Sequence, residues 1–431
     1  MDSGVIIFIA LGILLLLNLP VGISIGLASL CGVLASSRMT HTFIVSQLIA
    51  GSDSFVILAI PLFLLAGELM TAGGASKRLL HLCTVFFGHL TGGHAIVTII
   101  VCMFFAAISG SGPATVAAVG GMMVPNMLEK GYSKSFTLAC VASAGCIGVV
   151  LPPSIPMIIY SASTQTPVSS MFLAGFAPGL MFGLILCTVC YFYCKKQGWR
   201  GEDRSYTPKE KLLAIWDAKW ILLGPILVLG GIYSNLFSPT EAAAVAAVYA
   251  FVCSVFLHKE ILLKDLYPTI AHACCATGTT MIIIGCATGF TRILTLEQLP
   301  ATFSNSLMGV SDSPIVILLL LNLILLSVGC FFDTTLAMMV LAPVLLPVAL
   351  SLGISSLHFG TIMVFNLSIG YITPPLGINL IEAARVGNTT VKVVCKGVVL
   401  FLLAMLFCLA LLVAFPAISE FLPHTFDVTT S

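Results

Sequence analysis

The chain has 431 residues, of which 59% are hydrophobic and only 8% charged, and its net charge is +1. A soluble domain carries about 25% charged residues, and no soluble fold of this length could bury so much apolar surface. The solvent is therefore lipid, and the near-neutral net charge, with no basic stripe interrupting the apolar segments, gives no sign of a nucleic-acid partner.

The first charge-free run extends from Ser3 to Ser37, and Asp2 precedes it where a cleavable signal would be basic. The first helix is thus expected to be retained. Glu68, in Leu65-Ala66-Gly67-Glu68, falls near a helix end, where a charged side chain can snorkel to the interface. The run from Thr91 to Leu128 is too long for one span of roughly 20 residues, and Ser109-Gly110-Ser111-Gly112-Pro113 interrupts it. A helical hairpin over about residues 94–127, dipping in and returning, explains both features. Its tip offers backbone N–H groups to an anionic substrate, with Thr115 close behind. Intramembrane serine proteases also place a serine between glycines. Here Ser109 occupies the position of the first expected glycine, and no histidine is paired with Ser111.

The longest charge-free run, 60 residues from Ser135 to Cys194, holds two or more spans. Within it lies Leu151-Pro152-Pro153-Ser154-Ile155-Pro156. Proline has no N–H to give the carbonyl four residues back, so Pro152 frees the Gly148 oxygen and Pro153 that of Val149. Left bare at membrane depth, each would cost a few kcal/mol. A desolvated Na⁺ would satisfy them, with Ser109, Ser111 and Thr115 completing the shell. The other reading is two kinked helices whose carbonyls are met by water or hydroxyls. A broken helix over about 134–160 closes a first repeat that spans residues 1–194.

Seven of the eighteen basic residues fall between Lys195 and Lys219, which places the 195–220 segment in the cytoplasm. Thr207-Pro208-Lys209-Glu210 reads as a capped helix start. The mixture of Lys, Leu, Ile and Trp up to Trp220 suits a short helix in the membrane interface. Ser238-Pro239-Thr240-Glu241 repeats the capping pattern, so Glu241 reads as a cap.

The second half, residues 221–420, repeats the first at an offset of 222 residues. At that offset Gly67 meets Gly289, Pro125 meets Pro347, Gly148 meets Gly370, Pro152 meets Pro374 and Pro153 meets Pro375. A second hairpin is expected over about 314–348, with Gly329, Asp333, Thr334 and Thr335 near its tip. A second broken helix follows over about 356–382, and residues 421–431 form a tail. There Pro374 frees the Gly370 carbonyl and Pro375 that of Tyr371, with the Thr373 hydroxyl nearby. Asp333 lies in an apolar run, where an ionisable group is a functional candidate. It can ligate a cation or cap the returning arm. Arg292 can snorkel or meet a substrate carboxylate, and Glu382 and Arg385 are spaced to pair on one helix. Fifteen cysteines and eight histidines scatter without metal-like spacing. Roughly ten to twelve transmembrane or re-entrant helical elements result. If each half crosses the bilayer an odd number of times, the two run in opposite directions, an all-α polytopic membrane protein built as an inverted two-fold repeat.

Several stretches together resemble the large membrane subunit of a TRAP (tripartite ATP-independent periplasmic) transporter. They are Pro61-Leu62-Phe63-Leu64-Leu65-Ala66-Gly67, Ser109-Gly110-Ser111-Gly112 with Ala114-Thr115 and Gly120, and Leu151-Pro152-Pro153-Ser154-Ile155-Pro156-Met157. Ser238-Pro239-Thr240-Glu241-Ala242-Ala243-Ala244 and Thr373-Pro374-Pro375-Leu376-Gly377-Ile378-Asn379 complete the set. The resemblance covers essentially the whole chain. It implies an elevator-type carrier of the ion-transporter superfamily in the bacterial inner membrane, with Na⁺ as coupling ion, no other cofactor and no enzymatic activity. The implied partners are a small four-helix membrane subunit and a periplasmic substrate-binding protein. The implied substrate is a C4-dicarboxylate, a sialic acid or another organic acid. One Na⁺ site would use Gly329, Gly370, Thr373 and Leu376, the other the tip near Ser109 and Ser111 with the Gly148 region. The family more often has a small uncharged run where this chain has Ile381-Glu382-Ala383-Ala384-Arg385. An ion-coupled carboxylate carrier that needs no binding protein is the alternative.

Overall fold

The computed structural model describes residues 3–426 except 18, 37, 38, 40, 41, 203, 205 and 310–312. Among them the ordered elements are all helical, as a lipid-embedded chain without a closed barrel requires. Seven helices are long and apolar enough to cross a bilayer, eight if the pair Ala59–Ala72 and Ala75–Phe87, bent by 67°, counts as one span. Their outer faces suit lipid. On Val391–Ala414, Val399, Leu403 and Phe407 are exposed, while Val398, Phe401, Met405 and Leu412 on the opposite face are buried.

Helix starts follow local chemistry. Thr207 Oγ1 accepts the Glu210 amide while the Glu210 carboxylate accepts the Thr207 amide at 2.7 Å, and Ser238 and Glu241 do the same. Each box satisfies two otherwise orphaned N–H groups. The helix begun at Thr207 does not stop at Trp220, as an interfacial helix would; it continues unbroken from Pro208 to Tyr233. Nothing between Trp220 and Pro225 terminates it, and Ala214 and Ala218 bury against Leu82 and Val85, which ties its first turns to the bundle.

Each half contains a hairpin and a broken helix. The first hairpin joins Gly93–Ser109 to Gly112–Glu129, and the second joins Pro314–Gly329 to Thr334–Ser351. The first broken helix comprises Lys134–Gly145, Ile147–Val150 and Ile155–Thr164, and the second Ser356–Gly370 and Ile378–Val386. Both breaks carry cis Pro-Pro bonds.

The two broken helices lie side by side in opposite directions. At one end the Tyr160 hydroxyl donates to the Ser356 carbonyl at 2.7 Å. Further along, the Asn379 side-chain Nδ2 donates to the Ala142 carbonyl at 3.0 Å. At the other end Gly387, which caps the second broken helix, packs on the Leu138 side chain. Start therefore meets end, which is what an inverted repeat produces. The first broken helix is buried continuously from Phe136 to Ser161, the second from His358 to Ile372, and Pro374, Pro375 and Leu376 stand exposed.

Candidate solute and ion site at the hairpin tips

At the first tip, Gly110 takes a left-handed φ of +60° and ends the incoming helix, and extended Ser111 starts the return. Glycine adopts such a φ at no steric cost, and a Cβ here would stand 2.7 Å from the Pro153 oxygen. The Gly110 carbonyl accepts the Ile155 amide beyond the first break at 3.3 Å. Thr115 Oγ1 donates to the Ser111 carbonyl at 2.7 Å and lies 3.2 Å from Ser109 Oγ. Gly148 packs so closely on this tip that a Cβ there would stand 2.7 Å from both the Ser111 oxygen and Thr115 Oγ1. Three uncharged oxygens, Ser109 Oγ, Ser111 O and Thr115 Oγ1, thus cluster over the Gly148 backbone. The Gly148 carbonyl has no amide four residues on, because Pro152 stands there. The Val149 carbonyl is met by the Ser154 hydroxyl, which also caps Ile155–Thr164.

The second tip is built differently from related parts. Gly329 and Gly370 touch backbone to backbone; a Cβ on Gly370 would lie 2.1 Å from the Gly329 oxygen. The carbonyls freed by the prolines find new donors, the Thr373 amide for Gly370 and the Asn379 amide for Tyr371, each at 3.1 Å. Thr373 Oγ1 donates to the Ile369 carbonyl at 2.8 Å. Asp333 caps the returning arm, its carboxylate accepting the Thr335 amide at 2.8 Å. The Tyr371 hydroxyl donates to the same carboxylate at 3.1 Å and pairs with Thr334 Oγ1 at 2.5 Å. A buried tyrosine therefore locks the second tip, a role its sequence position gave no sign of.

Both tips and both breaks face one cavity of about 280 Å³. Gly110, Ser111 and Val149 line it from the first half, and Asp333, Thr334, Thr335 and Tyr371 from the second. Pro113, Ile155, Pro156, Thr334 and Thr335 belong to first helical turns, so three helix N-termini open onto this space. The positive ends of their dipoles favour an anion, although the Ile155 and Thr335 amides are already given to the Gly110 carbonyl and the Asp333 carboxylate. The remaining wall is the long helix Leu263–Leu296, through Ala276, Thr279, Thr280 and Ile283, with Leu64 of Ala59–Ala72 beside it. The adjacent threonines Thr279-Thr280 in an apolar stretch were a legible sign of that wall, though their partner was not.

Some predicted residues lie apart. Arg292 lines a different cavity, and Leu376 is half-exposed. Glu68 pairs with His272 at 3.2 Å, and Glu382 pairs with Arg385 at 3.4 Å. A larger crevice of about 1,020 Å³, walled by Phe104, Leu180, Leu184 and Leu229, is almost wholly apolar and offers nothing to orient a charged solute. Among the described residues no group of three or more His, Cys, Asp or Glu is placed to hold a metal, and every cysteine is free.

Paired membrane hairpins abutting paired broken helices around a shared cavity edged by Ser, Thr and Asp side chains define a polytopic solute carrier. The family model described as "Tripartite ATP-independent periplasmic transporter, DctM component" matches residues 7–418, and the chain belongs to that family. It is a multi-pass transport protein, a large permease subunit and not an enzyme. It is 42% identical over 97% of its length to the isethionate TRAP transporter permease protein DctMQ of Oleidesulfovibrio alaskensis, a longer protein of which it covers 66%. It is 38% identical to the C4-dicarboxylate TRAP transporter large permease protein DctM of Pseudomonas aeruginosa, over 93% of this chain and 94% of that one. The sialic acid large permease SiaM of Vibrio cholerae is 33% identical, over 96% of each chain. The YdaH transporter of Alcanivorax borkumensis shares the fold, with a TM-score of 0.63 at 14% identity over 87% of each chain.

Proposed function

We propose that this chain is the Na⁺-coupled large permease through which a small organic acid, delivered by a periplasmic binding protein, enters the cell. A small four-helix membrane subunit completes the assembly in the bacterial inner membrane. The convergence of three helix N-termini on one cavity carries the reading, because that arrangement suits a carboxylate or sulfonate. The solutes for which relatives are named, isethionate, C4-dicarboxylates and sialic acid, bear such groups.

Two clusters of neutral oxygens support the ion sites. Ser109, Ser111 and Thr115 over Gly148 form the first. Gly329, Gly370 and Thr373 frame the second, where an arriving Na⁺ would take over carbonyls now held in a single turn. Uncharged carbonyls at the ends of broken helices suit an alkali cation. Asp333 already holds the Thr335 amide and the Tyr371 hydroxyl, so its role in the proposal is to position the tip. Transport itself would be an elevator movement, in which both hairpins and both broken helices travel as one unit along the long helix Leu263–Leu296. One net positive charge moving inward across 100 mV supplies roughly 2.3 kcal/mol. A thousandfold accumulation needs about 4 kcal/mol, so two net charges suffice.

The test is Thr373→Ala in proteoliposomes holding all three proteins, with uptake of labelled succinate, isethionate and sialic acid titrated against Na⁺. Half-saturation should move to higher Na⁺ while membrane insertion is unchanged. An identical Na⁺ titration, or uptake indifferent to Na⁺ in the unmodified protein, refutes the coupling.

A further inference from the structure

Arg292 sits on the long helix Leu263–Leu296 and lines a cavity of about 420 Å³ separate from the one at the hairpin tips. Three elements wall both cavities, and one is the returning arm Thr334–Ser351, with Thr334 and Thr335 on the inner cavity and Met339 and Pro343 on the outer one. On the long helix, Ala276, Thr280 and Ile283 face the inner cavity, and Thr291 and Thr295 the outer one. These positions recur every three or four residues apart from one longer step, so they share a face. On the half-helix after the first break, Ile155 and Pro156 face the inner cavity, and Ser163 and Gln165 the outer one. The two spaces therefore follow each other along one seam. From Thr280 to Arg292 is roughly 18 Å along the helix axis.

The outer cavity lies on the face away from the basic loop. The start of the first broken helix packs on Trp199 in that loop, through Phe136 at 5.2 Å between ring centroids, whereas Gln165 stands at its opposite end. By charge bias the loop is cytoplasmic, which puts Arg292 on the outer side.

Arg292 is exposed, and no ion pair among the described residues involves it. The neighbouring hydroxyls have already given their hydrogens to backbone: Ser163 to Tyr160, Thr291 to Met339, Thr295 to Thr291. Gln165 likewise donates to the Ala162 carbonyl. Among the described residues lining the cavity the guanidinium is the one charged donor, planar and suited to bidentate capture of a carboxylate or sulfonate.

We propose that Arg292 heads an outer anion-binding station, which takes the acidic group of the solute before it moves down the seam to the hairpin tips. This rests on the carrier function proposed above. The alternative is an arginine that only anchors the long helix at the membrane surface.

A direct test uses Ser163→Cys as a reporter in the full assembly. Its labelling by an anionic and by a cationic methanethiosulfonate is followed by mass spectrometry of that peptide. The anionic reagent should be favoured, and Arg292→Gln should lower that preference at least about fivefold, with Arg292→Lys in between. Succinate or isethionate should slow labelling in the Arg292 background alone. In uptake, Arg292→Gln should raise the external concentration for half-maximal rate about tenfold, the factor matching about 1.4 kcal/mol for a lost charge-assisted contact. The maximal uptake rate should stay within about twofold, so that the loss lies in half-saturation, and efflux at low internal solute should slow by the same factor as uptake at low external solute, because a variant carrier cannot move the equilibrium. A reagent preference and external half-saturation unchanged by Arg292→Gln overturn the station while leaving the carrier reading intact. Altered labelling with no uptake of any acid by the unmodified protein would instead retain the station and sink the carrier reading.

Discussion

Gly370→Ala isolates the contact on which the second ion site depends. The new methyl would stand 2.1 Å from the Gly329 oxygen and 2.2 Å from its carbonyl carbon. Both are backbone atoms, so no side-chain rotation relieves the clash. Ordinary contact begins near 3.4 Å, so the tip or the broken helix must retreat by about 1.3 Å in an interior packed as densely as a crystal. Overpacking of this kind costs about 1–3 kcal/mol, which lowers the docked population of the tip roughly 5- to 150-fold. The assay pairs the Na⁺ titration of uptake with the thermal midpoint of the purified assembly. Gly121→Ala is the control, because it lies on the returning arm of the first hairpin with open space around it. If Gly370→Ala matches Gly121→Ala in both Na⁺ half-saturation and midpoint, the close-approach argument is wrong.

Gly148→Ala should weaken Na⁺ dependence in the same assay, its methyl meeting the Ser111 oxygen and Thr115 Oγ1 at 2.7 Å; a wild-type titration would show that the first oxygen cluster binds nothing. Tyr371→Phe leaves the Asp333 carboxylate without its phenolic donor, a loss of about 1–3 kcal/mol, and should loosen the second tip, seen as faster amide exchange over Asp333–Leu336. Unchanged exchange would place the stability of that tip elsewhere. Asn366 donates to both the carbonyl and the side chain of Asn322, at 3.0 and 2.8 Å. Asn366→Leu alone should lower the thermal midpoint, and adding Asn322→Leu should recover part of the loss, since an orphaned buried polar group costs more than none; strictly additive losses would contradict the pairing.

Much of the architecture could be read before any coordinates, because lipid makes backbone satisfaction decisive. Charge-free length, Ser109-Gly110-Ser111-Gly112 and the two Pro-Pro pairs mark where helices must turn or part, and proline's missing hydrogen is a local fact. The capping boxes at Thr207 and Ser238 are equally local. What the freed oxygens meet is not. Val149 finds the Ser154 hydroxyl, Gly370 the Thr373 amide and Tyr371 the Asn379 amide, and each choice depends on how the chain folds past the break.

The placement of distant residues belongs to the tertiary structure alone. Sequence spacing could not tell that Tyr371 would reach Asp333 across 38 positions, or that Thr279 and Thr280 would wall the same cavity as Ser111. Nor could it separate Arg292 from the second hairpin tip, since the two fall within the same repeat. Membrane depth and helix breakage are set by composition within a few turns of chain. Which oxygens and which charges share a cavity is set by the antiparallel packing of two halves far apart in sequence.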